Sequence, residues 1–517
     1  MEKKVIYPVG EQSFESLRKR DCLYVDKTRF LEKLLDRGSK YYFLARPRRF
    51  GKSLFLSMMK AFFEGERELF KGLYADTMDW DWQPHPVLYL DLNIGSYGDS
   101  TAISSVLNAK MGDWERAYGI TPRSKDFSVR FSDIIQAAYK KTGKGVIMLV
   151  DEYDKPLVNN LHDEEMFVSF RNQLTAVYAN FKSSAEYIRL VFLTGVSRFA
   201  HLSVFSGLNN ITDISFLDEF SDICGITEEE LASNFQTGMA EIGKKFSKSA
   251  TEIHDELKQR YDGYHFSEES PDIYNPYSLL NVMESRKLEN YWIKSGMPTL
   301  LEQQLKRFDV DLKKLFETRC SQRMLEGLDF DSPNPVALLY QTGYLTIKSF
   351  TSGIFSLGLP NEEVKEGFLS YLLPKYAYIE GDNTEFYIYM FVEELREGKI
   401  DDFMRRLQSM FAIVPYQMEM DNERNLHNAL LMLTLLLGIK VQAEYSTSDG
   451  RIDMVLGTEK HLYIIELKID KSARAALEQI NAKDYALPFG SDGRHIIKVG
   501  VNFSTKTRTI DGWEIEK

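Results

Sequence analysis

Residues 40–63 read KYYFLARPRRFGKSLFLSMMKAFF, and this stretch decides the fold of the amino-terminal half. Lys40 to Ala45 is a short apolar and aromatic run that reads as a buried strand, and Leu54 to Phe63 carries apolar residues at helical spacing. Between them lies RPRRFGKS, so the order is strand, loop, helix, the context that a phosphate-binding loop requires. Gly51, Lys52 and Ser53 supply the end of the GxxxxGK[ST] pattern. Gly51 lets the backbone approach a phosphate, Lys52 reaches the β and γ phosphates, and Ser53 is placed to coordinate Mg2+ at a helix amino terminus. Arg46 stands where the first glycine of the pattern would be, and Pro47, Arg48 and Arg49 follow. The loop is therefore stiff and basic, and Arg46, Arg48 and Arg49 are expected to lie beside the phosphates and favour tight nucleotide retention.

A GKS tripeptide needs a second half. Gly145 to Val150, GVIMLV, is a continuous apolar run of the kind found in a parallel strand covered on both faces, and it ends in Asp151-Glu152. This is a Walker B pattern, in which Asp151 holds Mg2+ through water and Glu152 orients or deprotonates the attacking water. The competing reading is an acidic strand end that caps the next helix. A third apolar run, Leu190 to Leu193, ends in Thr194-Gly195-Val196-Ser197-Arg198. Thr194 is the candidate γ-phosphate sensor, and Arg198 is either an arginine finger or half of a surface ion pair. ATP with Mg2+ is the expected ligand.

From Tyr24-Val25-Asp26-Lys27-Thr28 through ARPRRFGKS, LVDEYDKPL and LTGVSRF, the chain resembles the AAA-ATPase-like domain of a large group of mainly bacterial proteins, over about the first 220 residues. The arginine-rich loop is usual in that group, so the resemblance implies that Arg46 is a family feature. From about Phe220 to Gln259 the chain turns helical and acidic, with a capping-box pattern at Thr227 and Glu230, which suits a helical lid over 221–300. The aromatic turns Tyr261-Asp262-Gly263-Tyr264-His265-Phe266 and Asn275-Pro276-Tyr277-Ser278 read as packing of that lid. Within 301–410, Val336 to Val364 follows the order helix, hairpin, helix, which suggests a winged-helix-like connector. Its hairpin has little positive charge beyond Lys348, so interdomain packing is as good a reading as DNA contact.

Near the carboxyl end, KVQAEYSTSDGRIDMVLG (440–457) reads as strand, turn, strand, and HLYIIELKI (461–469) as a third strand. Asp453 follows the turn at Asp449-Gly450, and Glu466 and Lys468, two residues apart, share one face of their strand. A Glu and a Lys on one face of an otherwise apolar strand is expensive unless something pairs them, because an unpaired buried charge costs several kcal/mol. A divalent metal would do so. Asp453 and Glu466 would be oxygen ligands to Mg2+ or Mn2+, the Leu467 carbonyl a third, and Lys468 would position the attacking water. A solvated Glu–Lys pair on an edge strand is the alternative. The following helix offers Gln479 and Tyr485 near the same edge, and the preceding one places Glu423 and His427 on one face at i, i+4 spacing. GRIDMV, IIELKI, ALEQI and GVNFSTKTRTIDGW together resemble the PD-(D/E)XK nuclease domain that accompanies the same AAA-like domain, over 411–517. The resemblance implies that Asp453, Glu466 and Lys468 are catalytic and that Glu423 and Gln479 support the metal and its water. Ile452 stands where the superfamily's proline would.

Composition fits this plan. A chain of 517 residues exceeds one hydrophobic core, and 44% hydrophobic with 27% charged residues supports ordered domains throughout. Cys22, Cys224 and Cys320 lie far apart without a CxxC pair, which argues against a disulfide framework or a thiolate zinc site and for a reducing cytoplasm. The start lacks the apolar core of a signal peptide, and the most apolar run, Ala429 to Leu437, is about half the ~20 residues of a membrane span. A net charge of −12 argues against a protein that coats nucleic acid, although a local site remains open: residues 411–517 hold 13 Lys plus Arg against 15 Asp plus Glu.

The expectation is thus an α/β multidomain protein. Residues 1–220 form a P-loop AAA-like domain with a parallel sheet, 221–300 a helical lid, 301–410 a winged-helix-like and helical connector, and 411–517 a restriction-endonuclease-like α/β domain. Its function would be ATP binding or hydrolysis that regulates metal-dependent cleavage of nucleic acid, DNA in the first instance. A nucleotide-dependent switch or scaffold with a nuclease-like domain is the alternative. Nucleic acid, ATP and further copies of the chain are the expected partners, with no membrane.

Overall fold

The computed structural model describes residues 5–161, 163–198, 210–295, 315, 318–326, 335–377, 384–412, 432, 440–447, 450–507 and 509–517. The described residues up to Val364 form one compact unit, and those from Lys365 to Lys517 form a second. Among the described residues no helix is long and apolar enough to cross a membrane.

The first unit is built on five parallel strands: β1 Tyr41–Ala45, β2 Val87–Asp91, β3 Val146–Asp151, β4 Ile188–Gly195 and β5 Thr212–Asp213, in the order β2-β3-β4-β1-β5. Every residue of β1 and β3 is buried, as their unbroken apolar runs require of strands covered on both faces. The helix Lys52–Phe63 leaves the end of β1 and buries Phe55, Leu56, Met58, Met59, Phe62 and Phe63. Because all five strands run the same way, β1, β3 and β4 deliver Gly51, Asp151 and Thr194 to one edge of the sheet, with β4 between the other two. Carboxyl ends of parallel strands are where such sheets bind ligands.

Helices Glu228–Asn234, Gln236–Phe246, Ala250–Tyr261 and Pro276–Ser285 follow. The first opens on a complete capping box: the Thr227 hydroxyl accepts from the Glu230 amide, and the Glu230 carboxylate accepts from the Thr227 amide. Leu231, Phe235, Ile242, Leu257, Leu279 and Val282 make their shared core, and Tyr7 and Val25 of the amino-terminal segment pack into it. The helix Pro335–Thr342 precedes the hairpin of β7 (Thr346–Thr351) and β8 (Ile354–Gly358), with β6 (Arg319–Cys320) pairing on β8, and the helix from Glu362 follows.

The second unit holds β9 Lys440–Thr447, β10 Gly450–Gly457, β11 His461–Ile469, β12 His495–Ser504 and β13 Thr509–Glu516, in the order β13-β12-β11-β10-β9. Only β11 and β12 are parallel, and the helix Ala473–Ala482 makes the crossover between them. That helix lies so close to β12 that a side chain at Gly500 would meet the Ala473 carbonyl and the Leu477 amide at 2.3 and 2.5 Å. The close contact fixes the helix face that carries Gln479.

Candidate functional sites

In the first unit a cavity of about 450 Å³ opens where the strands end. Gly51, Lys52, Ser53, Glu152 and Asp154 line its polar side, and Tyr24, Val25, Ile226, Tyr277 and Leu280 its apolar side. The loop that forms its floor turns through two left-handed residues, Arg49 at φ 67° and Gly51 at φ 96°. Lys52 is only 4% exposed. Its ammonium donates to the carbonyls of Arg46 and Pro47 at 3.1 and 3.2 Å and lies 3.5 Å from the Glu152 carboxylate.

Asp151 is fixed from three sides: it accepts from the Thr194 hydroxyl at 2.7 Å, the Glu152 amide at 3.1 Å and the Tyr89 hydroxyl at 3.3 Å. Glu152 itself has φ 50°, a conformation that residues with side chains rarely adopt and that concentrates at functional positions. Asp154, which sequence reasoning passed over, is buried on the cavity wall and accepts from the amides of Ser197 at 2.6 Å and Val196 at 3.2 Å. Burial, then the neighbouring Glu152, pushes its carboxyl up to about 7.

Two expectations are corrected. Arg46 does not face the phosphates. Its guanidinium, 2% exposed, donates to the carbonyls of Ala45, Ser215, Phe220 and Ser221 and stacks 4.2 Å from the Phe266 ring centre, so it ties the loop to the end of the sheet. Arg198 is not poised as a finger either: it is buried in an ion pair with Asp213, with Glu326 at 3.5 Å and the Phe216 ring centre at 4.4 Å. Its Nε and Nη1 are shielded from solvent and have no hydrogen-bond partner among the described residues, but Arg198 is not among the residues that line the cavity. Arg48 and Arg49 do line the cavity, with Arg49 lying over Tyr277.

In the second unit Asp453 on β10 and Glu466 and Lys468 on β11 come together. The ladder between the two strands stops at Met454 and Ile465, and the next amide, that of Leu467, donates instead to the Asp453 carboxylate at 2.8 Å. Glu466 is 2% exposed. Its Oε1 accepts from Lys468 Nζ at 3.0 Å and from Gln479 Nε2, whose amide also lies 3.4 Å from the Tyr485 hydroxyl. Its Oε2 is buried and has no hydrogen-bond partner among the described residues. Burial, then the Asp453 charge, raises the Glu466 carboxyl above the ordinary carboxylate range.

A buried carboxylate oxygen without a partner is costly, and an all-oxygen donor set suits Mg2+ or Mn2+, so these residues fit a hard divalent cation. Among the described residues no group of three metal-ligating side chains is complete. Glu423, the expected further ligand, and His427 lie outside the described residues.

Comparison with known proteins defines the class. Residues 8–205 match a family model described as a predicted AAA-ATPase, and residues 421–513 match the PD-(D/E)XK nuclease superfamily. A protein of Azotobacter chroococcum mcd 1, described as an uncharacterized protein in the vnfD 5' region, is 32% identical over 526 aligned residues, which cover 98% of each chain. The chain belongs to this family, in which an AAA-ATPase-like domain precedes a PD-(D/E)XK nuclease domain.

Proposed function

We propose that the protein is an ATP-binding, metal-dependent nuclease in which nucleotide state regulates phosphodiester cleavage of nucleic acid, DNA in the first instance. The observation that carries this reading is Glu466: its Oε2 is buried and unpartnered beside Asp453, where the ladder of β10 and β11 ends. A solvated Glu–Lys pair on an edge strand would not be buried in this way.

In this reading Asp453 and Glu466 hold the cation, with Glu423 as a further ligand. The bound metal would polarise the scissile phosphate and lower the pKa of a water molecule. Lys468, held 3.0 Å from Glu466, is placed to orient that water and to offset charge on the phosphoryl oxygens. Gln479 fixes the Glu466 carboxylate from the crossover helix. In the other unit Lys52 and the first-turn amides of its helix would take the phosphates, Ser53 and Asp151 would hold Mg2+, Thr194 would sense the γ-phosphate and Glu152 would activate water.

We assign residues 1–220 to the ATPase domain, 221–300 to its lid, 301–410 to a winged-helix-like connector and 411–517 to the nuclease, in a cytoplasmic protein able to self-associate. The reading is tested with purified protein, Mg2+ or Mn2+, and plasmid and single-stranded substrates, with and without ATP. A nucleotide switch with an inactive nuclease-like domain would bind ATP and cut nothing.

A further inference from the structure

The loop RPRRFGKS sends its three arginines to three different surroundings. Arg46 gives both terminal nitrogens to four carbonyl groups, leaving only its Nε without a partner among the described residues, and Arg49 is exposed above Tyr277. Arg48 differs from both. Its Nε and Nη2 are shielded from solvent and have no hydrogen-bond partner among the described residues, and Nη1 reaches only the Ser295 carbonyl, at 3.5 Å. No carboxylate among the described residues pairs with it.

The side chain is nevertheless held in place. Its guanidinium lies 5.2 Å from the Trp292 ring centre, and the Trp292 indole N–H donates to the Arg48 carbonyl at 3.1 Å. Trp292 is anchored in turn, because its backbone amide donates to the buried Glu363 carboxylate at 2.6 Å. Arg48 also shares the cavity wall with Lys52 and Ser53.

An oriented guanidinium with shielded, unused donors is a site missing its oxyanion, and a phosphate oxygen pair matches the planar fork of N–H groups. Lys52 is expected to reach the β phosphate, which a diphosphate and a triphosphate share, and the γ phosphate as well. The extra charge of a triphosphate calls for a second cation, and Arg198, whose Nη2 pairs with Asp213 and Glu326, does not line the cavity. We propose that Arg48 contacts the terminal phosphate of a bound nucleoside triphosphate, supplied by the loop itself, and that Trp292 is its positioning residue. The proposal rests on the nucleotide reading of the cavity. It adds to that reading a means of telling triphosphate from diphosphate.

The test is isothermal titration of the full-length protein with a non-hydrolysable ATP analogue and with ADP, both with Mg2+. Arg48→Ala is expected to weaken analogue binding by about ten- to a hundredfold, the usual worth of a hydrogen bond to a charged group, while ADP binding changes by no more than about threefold. Arg48→Lys should recover part of the loss. Trp292→Phe, which puts a smaller aromatic ring in place of the indole and removes its N–H, should fall between wild type and Arg48→Ala in the analogue-to-ADP ratio. Arg198→Ala should leave that ratio unchanged. A ratio in Arg48→Ala and Arg48→Lys equal to that of wild type would overturn the proposal, even if both variants bound more weakly. If wild type bound neither nucleotide, the nucleotide reading itself would fail, whereas loss of binding in Lys52→Ala alone would sustain that reading and reject only the role of Arg48.

Discussion

The Lys52 ammonium lies 3.5 Å from the Glu152 carboxylate, joining the residue expected to grip phosphate to the one expected to activate water. Both sit at the carboxyl edge of one parallel sheet, Lys52 at the start of the helix after β1 and Glu152 just beyond β3. A triphosphate entering the cavity would draw Lys52 toward its own oxygens and release Glu152 toward the attacking water.

Lys52→Ala should therefore abolish ATP binding. Glu152→Gln should bind ATP at least as well as wild type and hydrolyse it about 10²- to 10⁴-fold more slowly, the usual contribution of a positioned general base. Equilibrium binding alongside single-turnover hydrolysis separates the two roles. Equal loss of binding in both variants would contradict them.

Gly51 has open space where a side chain would go but a φ of 96°. Gly51→Ala should thus cost about 1–2 kcal/mol of stability through backbone strain. A lowered melting temperature together with weakened nucleotide binding is expected, because relief of the strain deforms the loop. Unchanged values for both would show that the loop does not need this conformation.

Glu363 is buried, accepts from the Ser278 hydroxyl and the Trp292 amide at 2.6 Å each, and is pushed by burial from 4.5 up to about 7. The folded protein thus retains a proton that the unfolded chain releases between about pH 4.5 and 7. Stability must fall as pH rises through that window, by up to about 3 kcal/mol from this group. Denaturant unfolding of wild type and Glu363→Gln at pH 5, 6, 7 and 8 should show the variant gaining relative to wild type as pH rises. A pH-independent difference would place the Glu363 carboxyl at its ordinary value.

What could be read from the sequence follows physical lines. β1 and β3 announce themselves as unbroken apolar runs because both faces of a central parallel strand are covered, and the Thr227 and Glu230 capping box is local enough to be seen in four letters. Asp453, Glu466 and Lys468 stand out because charged residues interrupt apolar strands. The fates of the arginines were not legible. Arg46, Arg48 and Arg198 carry the same charge, and what separates them is supplied from afar: carbonyls of Ser215, Phe220 and Ser221 for Arg46, Trp292 for Arg48, Asp213 and Glu326 for Arg198. Asp154 was missed for a related reason, since only the fold brings the amides of Val196 and Ser197 to it.

In the second unit, metal binding and water positioning should come apart. Asp453→Ala removes a ligand and should weaken Mn2+ binding by at least about tenfold, whereas Lys468→Ala should change it by no more than about threefold. Titration calorimetry of the two variants measures this. Equal losses would mean that Asp453 acts through the Leu467 amide it accepts from, not through the cation.

The most direct test of the central claim is plasmid cleavage by the full-length protein in Mg2+ or Mn2+, run beside Asp453→Ala and Lys468→Ala. The account predicts metal-dependent cleavage by wild type, abolished by chelator and lost in both variants while ATP binding persists in each. Undiminished cleavage by both variants would contradict it.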